Sequence, residues 1–340
     1  MYDDHLMDSM EVVLQNDVVS NVCFLQFLGN DKLNSKFMNK TSAPLVTVGV
    51  CVRNCADTIH EAIESIMAQD YPHEFMVLIL VNDGSDDETL AIIKDYASKL
   101  DMKVKIFHHK WRGIGFSRNV VMENAIGDYI VWIDGDMKIP SNYVRKLVEF
   151  MDKHPTVGIA KGKQSLKKGA NLLGTLEGYS RAASRMVDYQ SEKAKYKSLG
   201  TGGAIYRLKA IKEAGGFDEK LRGYGEDFDA EIRIKAKGWK LAVVDAEFSD
   251  YESYELKWQD LWRRYWFRGF YSYFFLKKNR DALKLYNMIP FIAALSGLFY
   301  LLKIYKLTKN VLSFLLPVLS VYKATAWCVG YISAHSCTLA

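Results

Sequence analysis

Val131-Trp132-Ile133-Asp134-Gly135-Asp136 is an apolar run that ends abruptly in two aspartates separated by one glycine. A run that is apolar at every position fits a strand covered on both faces, the kind found inside a sheet flanked by helices. The two carboxylates at its end do not belong to a core, because an unpaired buried charge is too costly. They need a partner, and a divalent cation carrying phosphate oxygens is the natural one. Mg²⁺ and Mn²⁺ take hard oxygen ligands and often bind through one or two carboxylates plus a substrate diphosphate. Asp134 and Asp136 are therefore the candidate metal ligands.

The pattern repeats on the N-terminal side. Residues 45–52, 75–81 and 104–107 read as further strands. Residues 58–68 carry apolar side chains at helical spacing, and 89–100 and 117–125 read as helices. Strands alternating with helices imply parallel βαβ units with right-handed crossovers. In such sheets ligands bind beyond the carboxyl ends of the strands. The conspicuous polar residues fall there: Arg53-Asn54 after the first strand, Asn82-Asp83-Gly84-Ser85 after the second, Asp134-Gly135-Asp136 after the fourth. After Pro140 the alternation loosens, with helices over 142–151, 172–189 and 226–237 and strands over 157–162, 204–207 and 240–244.

Composition bounds the rest. The chain has 340 residues, is 49% hydrophobic and 25% charged, and carries a net charge of +5. That charge is too mild to argue for a nucleic-acid partner. Five cysteines (Cys23, Cys51, Cys55, Cys328, Cys337) fit neither a zinc site nor a disulfide framework. Cys51 and Cys55 read as packing residues of a reducing, cytosolic domain. Met1 to Glu11 is acidic without an apolar core, so no signal peptide is expected. For the same cytosolic segment the sequon Asn39-Lys40-Thr41 carries no meaning.

Four stretches emerge: a 1–44 extension or linker, with apolar patches at 12–14 and 18–28 and a polar 30–42; a 45–250 α/β domain; a 251–286 basic-aromatic segment; and a 287–340 apolar tail. Arg263, Arg264 and Arg268 stand among Trp and Tyr residues, a composition suited to lipid phosphates at a membrane interface. Within the tail, 288–302 is short for a span of roughly 20 residues, and 311–334 is long enough but carries Lys323 near its middle. Membrane attachment is expected, with the catalytic domain cytoplasmic.

Two further motifs add chemistry. Gly113-Ile114-Gly115-Phe116-Ser117-Arg118-Asn119 puts flexible backbone and a guanidinium before the aspartate-bearing strand, suited to ribose or phosphate. Gly225-Glu226-Asp227 opens a helix, where a carboxylate serves as a general base or simply complements the helix dipole.

Taken in order, these motifs resemble family 2 glycosyltransferases of the GT-A fold. The resemblance covers Val46 to about Val244 and includes Ser65-Ile66-Met67-Ala68-Gln69-Asp70-Tyr71-Pro72, Gly127-Asp128-Tyr129-Ile130 and Gly215-Gly216-Phe217-Asp218. It implies a Rossmann-like, mostly parallel sheet flanked by helices, with the apolar helical tail appended. It also implies roles. Val52, Arg53, Asp83 and Gly84 hold the nucleotide base, and Arg118 and Asp134 lie near ribose and diphosphate. Asp134 and Asp136 position a metal (Mg²⁺ or Mn²⁺), Asp227 is the base with Glu226 beside it, and Gly202 and Gly203 border the acceptor. The implied donor is a UDP- or GDP-sugar. The implied acceptor is a saccharide or lipid-linked hydroxyl, with transfer to a polyprenyl or dolichyl phosphate as the alternative; Arg263, Arg264 and Arg268 are expected to hold such a phosphate or the membrane surface, the membrane surface being preferred.

Departures from the family pattern are few. Asn82 stands where an aspartate is usual, which is expected to change a supporting hydrogen bond rather than the base contact. Gln259 and Arg263 are one residue too far apart for the Gln-x-x-Arg-Trp signature of processive synthases, which argues against processivity. A nucleotidyltransferase would need a glycine-rich basic loop after the first strand, and a nicotinamide enzyme the full dinucleotide fingerprint. Neither is present. A non-catalytic nucleotide-sugar binder would not need Glu226-Asp227.

Overall fold

The computed structural model describes residues 11–15, 43–166, 169–185, 197–250 and 255–337. The apolar patch at 18–28, the polar 30–42 with its sequon, Cys23 and the end of the helix expected over 172–189 lie outside the described residues.

Nine strands among the described residues form one mixed sheet. Its centre is four parallel strands in the order β4 (Lys103–His109), β3 (Met76–Asp83), β2 (Val46–Val52), β5 (Tyr129–Trp132). Side chains alternate across the sheet. Met76, Leu78 and Leu80 of β3 enter one core with Val46, Val48 and Val50 of β2. Val77, Ile79 and Val81 of β3 enter the opposite core with Ile130 and Trp132. Helices α1 (Ile59–Met67), α2 (Thr89–Ala97) and α4 (Tyr143–Lys153) cover the first face. Helix α3 (Ile114–Asn124) covers the second with α6 (Leu208–Glu213) and α7 (Glu226–Ala236). α1 buries Ile59, Ala62, Ile63 and Ile66, the i, i+3, i+4, i+7 stripe of an amphipathic helix.

The edges are where alternation breaks down. β1 (Glu11–Gln15) runs antiparallel to β4, which makes a strand of the patch at 12–14. On the other side β8 (Ala204–Arg207) pairs antiparallel with β5 and with β7 (Val157–Gln164). β9 (Lys240–Asp250) runs parallel to β7, and β6 (Met137–Lys138) caps it antiparallel. The strand expected over 240–244 is longer than anticipated, and β6 and α6 were not anticipated. β6 is only a two-residue bridge, and α6 is a six-residue helix.

Beyond the sheet lie α5 (Leu172–Arg185) and three tail helices: α8 (Trp258–Lys278), α9 (Pro290–Thr308) and α10 (Leu316–Cys337). The first apolar segment of the tail is longer than the expected 288–302. Pro290 starts the helix, where its missing N–H costs nothing, and the helix runs 19 residues through Lys303 and Lys306. α9 and the stretch 311–337 are both long and apolar enough to cross a membrane. Lys323 is accommodated by turning inward. Its Nζ donates to Glu177 Oε2 at 2.7 Å and Ser180 Oγ at 2.8 Å, so the charge inside α10 is met by α5.

Glycines bring α8 and α10 into backbone contact. A Cβ on Gly269 would lie 1.9 Å from the Trp327 carbonyl, and one on Gly330 would lie 2.0 Å from the Trp266 carbonyl. α8 also docks on the α/β domain. Phe275 stacks on Phe228 with ring centroids 5.3 Å apart, and Lys278 Nζ reaches Asp218 at 2.6 Å and Asp229 at 2.9 Å.

Candidate active site

The loops after β2 and β3 are laced together. Asn54 adopts φ +52°; its N–H donates to Ser85 Oγ at 3.0 Å, and Asp86 N–H donates to Asn54 Oδ1 at 2.9 Å. Asp87 Oδ1 accepts from Thr89 N–H at 3.1 Å, capping the start of α2, while Asp87 Oδ2 accepts from Ala56 N–H at 3.1 Å. Asn82 Oδ1 accepts from Ser85, and Asn82 Nδ2 faces His108 Nδ1 at 2.9 Å. Asn82 is fully buried, so its contribution is to hold the loop.

Asp83 anchors the neighbouring chain. Arg112 and Gly113 donate backbone N–H groups to its two carboxylate oxygens at 2.8 and 3.1 Å. Gly84 (φ +65°) lies under this segment, since a Cβ there would be 2.5 Å from Trp111 N. Above it stand Trp111, 44% exposed, and Arg53, whose guanidinium sits 5.4 Å from the Trp111 ring centroid. Val52 is buried and turned to the aspartate loop, where a Cβ on Gly135 would lie 2.6 Å from Val52 Cγ1. Thr58 Oγ1 donates to Gly135 O at 2.8 Å, fixing that loop against α1. Trp111 has no signal in the sequence because it stands alone in the loop after β4 with no recognisable spacing.

The chemistry converges on a cavity of about 480 Å³ lined by Arg118, Asp134, Lys161, Gly202 and Asp227, among others. Gly225 (φ +93°) opens α7, and Phe275 of α8 packs where its Cβ would be, which fixes the entry of the helix. Glu226 is buried and pairs with Arg118. Burial, then the neighbouring Asp227, push its carboxyl up to about 7, against the pull of Arg118. Asp227 Oδ1 accepts from Phe228 N–H at 2.7 Å, while Oδ2 lies 3.4 Å from the Cβ position of Gly200. Lys161 Nζ lies 3.5 Å from that same position and donates to Leu199 O at 2.7 Å.

Gly202 lines the cavity and admits Asp134, because a Cβ on Gly202 would lie 2.1 Å from Asp134 Oδ2. Gly203 departs from the expected acceptor role. It is not among the lining residues. It lies behind the wall, donating to Trp132 O at 2.8 Å and accepting from the Tyr143 hydroxyl at 2.6 Å. Arg264 and Arg268 also depart from expectation: both line the cavity, while Arg263 is exposed. An aromatic-basic helix offers one face to each side, and sequence composition does not say which arginine takes which. Lys161 and Arg181 were missed. A lysine inside the buried run of β7 was the available signal for Lys161, since a charge there needs a purpose.

Asp134 and Asp136 are half-buried, and the described residues hold no group of three His, Cys, Asp or Glu able to bind a metal ion. Two carboxylates fit a cation that completes its shell with diphosphate oxygens, not a closed protein cage. Cys51 and Cys55 lie close by, and burial pushes their thiols up to about 12 and about 11, so neither is a nucleophile at neutral pH.

Residues 47–214 match the model of glycosyl transferase family 2. The chain is 38% identical over 114 residues to the putative glycosyltransferase EpsE of Bacillus subtilis, covering 33% of this chain and 40% of that one. It is 25% identical over 207 residues to a poly-β-1,6-N-acetyl-D-glucosamine synthase of Staphylococcus epidermidis, covering 60% and 47%. It thus spans less than half the length of either relative. In three dimensions it resembles the mannosyltransferase PcManGT of Pyrobaculum calidifontis, solved in complex with GDP-Man and Mn²⁺. The TM-score is 0.59 at 19% identity, covering 86% of this chain and 88% of that one, a likeness of fold. Residues 47–214 thus form a domain that matches glycosyl transferase family 2, carried on a GT-A-like fold.

Proposed function

We propose that this enzyme transfers a sugar from a UDP- or GDP-sugar to a hydroxyl of a saccharide or lipid-linked acceptor, with inversion, at the cytoplasmic face of a membrane. The observation that carries the reading is the meeting of Asp134, Arg118 and Asp227 at one cavity beyond the carboxyl ends of parallel strands, with Glu226 paired to Arg118. The base is assigned to the nook of Arg53, Asp83, Gly84 and Trp111, with Val52 shaping its floor. Arg118, held by Glu226, is assigned to the diphosphate. When bound by Asp134 and Asp136, Mg²⁺ or Mn²⁺ supplies neutralisation of the charge on the departing nucleoside diphosphate. Asp227 takes the acceptor hydroxyl's proton as that oxygen bonds to the anomeric carbon from the face opposite the breaking bond.

Membrane association is supported by apolar surface on the tail. Phe291 is 73%, Phe299 64% and Ile332 64% exposed. Large apolar side chains exposed together along two helices suit a membrane contact.

The test is thermal unfolding with UDP, GDP, CDP and dTDP, each with and without Mn²⁺, on wild type and Asp136→Ala. A nucleotide at 100 times its Kd adds about 2.7 kcal/mol. Metal-dependent stabilisation by one nucleotide, lost in the variant, is the expected result. No response to any nucleotide sinks the donor-site assignment.

A further inference from the structure

Gly200-Thr201-Gly202-Gly203 puts three glycines in four residues, so the stretch has much backbone freedom to lose on folding. It nevertheless has an exacting neighbour. The Asp134 carboxylate lies against Gly202, where any Cβ would collide with Oδ2. On the C-terminal side the stretch is tied by the Gly203 N–H, which donates to Trp132 O at 2.8 Å. The Ala204 N–H closes the turn, donating to Thr201 O at 2.7 Å. On the N-terminal side two buried charges grip it. Glu231 of α7 is fully buried, and its Oε1 accepts from the Gly200 N–H and the Ser198 hydroxyl, each at 2.8 Å. Its Oε2 accepts from the Leu199 N–H at 3.1 Å. Lys161 of β7, also buried, donates to Leu199 O at 2.7 Å. The carboxylate thus takes the N–H groups of this segment, and the ammonium takes a carbonyl. Burial, then Asp227, push the Glu231 carboxyl up to about 7, while the bonds from Ser198, Gly200 and Leu199 pull it down.

A charge buried in a strand or a helix is costly, and packing alone does not call for one. Charge-assisted hydrogen bonds are shorter and stronger than neutral ones. The pair therefore suits a segment that must be held and, being glycine-rich, cannot hold itself. We propose that Lys161 and Glu231 are positioning residues for the candidate metal ligand: they grip residues 198–200 and so keep Gly202 where it fixes the Asp134 carboxylate. This deepens the reading above and rests on its assignment of Asp134 to the cation. Loss of a group that orients a metal ligand typically costs roughly 10–100-fold in metal affinity. On this reading α7 steadies both halves of the diphosphate site. Glu226 holds Arg118, and Glu231 holds the loop behind Asp134.

The experiment uses the full chain in detergent at about pH 8, where the Glu231 carboxylate is ionised. Calorimetry measures UDP and GDP binding with and without Mn²⁺. Hydrogen exchange follows the peptide covering residues 198–203. E231Q and K161M are expected to cut the Mn²⁺-dependent gain in nucleotide affinity roughly tenfold, with metal-free affinity unchanged. S198A removes only a half-buried hydroxyl, so it reports even where a buried-charge variant fails to fold. It is expected to cut the gain about threefold. In each variant residues 198–203 exchange faster, while β3 keeps its protection. Equal loss with and without Mn²⁺ would make the roles structural and overturn positioning. A fall in metal-free affinity confined to K161M would make Lys161 a nucleotide ligand instead. Faster exchange at an unchanged Mn²⁺ gain would show that the loop does not hold the aspartate. If wild type binds neither nucleotide, or gains nothing from Mn²⁺, the metal assignment falls and this inference with it. A wild-type gain that all three variants keep refutes this inference alone.

Discussion

The two sides of the candidate site are built by different means. The side with Arg53, Asp83, Arg118 and Asp134 is made by short loops and one helix at the carboxyl ends of β2 to β5. The side facing the tail is made by helices, with basic residues from α5, α8 and α10 brought together across the chain. Loops at strand ends position a polar group wherever the strand stops. Helices do so only if one face of each turns the same way, so the second side depends on tertiary packing. Loss of a group should therefore act mainly on chemistry at the first side and also on stability at the second.

The largest expected effect is at the shared centre. Asp227→Asn should lower kcat by about 10²–10⁴ with little change in nucleotide affinity, read from steady-state kinetics. Unchanged turnover would remove Asp227 from the mechanism.

At the helical side, Lys323→Met leaves Glu177 buried without its nearest cation. That should cost about 3–5 kcal/mol in thermal unfolding of the detergent-solubilised chain. Adding Glu177→Gln should restore much of it. A double variant no better than the single one would mean that the pair is not what holds α5 to α10.

A third test uses pH. The folded carboxyl of Glu226 stands at about 7, above its ordinary 4.5. The folded state therefore holds the proton more tightly between those values, and stability falls as pH rises through them. Glu226→Gln should flatten the loss of stability between pH 5 and 8 by no more than about 3 kcal/mol. A slope identical to wild type would assign the pH dependence to another group.

The smallest effect belongs to the loop side. Trp111→Ala should weaken nucleotide binding by about 1 kcal/mol, some fivefold, at unchanged thermal stability. Titration calorimetry distinguishes this from a structural tryptophan, whose loss would lower stability instead.

This contrast also explains what the sequence made legible. Strand-end and helix-start motifs are contiguous, so Asn82-Asp83-Gly84-Ser85, Asp134-Gly135-Asp136 and Gly225-Glu226-Asp227 can be read where they stand. The parallel centre of the sheet followed from alternation alone. The antiparallel edge did not, because β6 is too brief to show a period. Lys323 looked like a flaw in an apolar helix, and its partner Glu177 is 146 residues away. Gly203 looked like a binding glycine because it adjoins Gly202, but only the first of the two reaches the cavity. Arg264 and Arg268 stand in basic and aromatic company, and nothing in the spacing says that they face inward.

The glycine contacts between α8 and α10 have one more consequence. α10 is locked to α8 at Gly330 and Gly269, and α8 reaches Gly225 through Phe275, one residue from Glu226 and two from Asp227. On the proposed membrane reading, the height of the catalytic carboxylate above the bilayer is then a fixed dimension of the fold. It does not vary as it would on a slack tether. Such an enzyme measures its substrates: an acceptor reacts when the distance from its anchor to its free hydroxyl matches that height, and chain length becomes a criterion of selection alongside sugar chemistry.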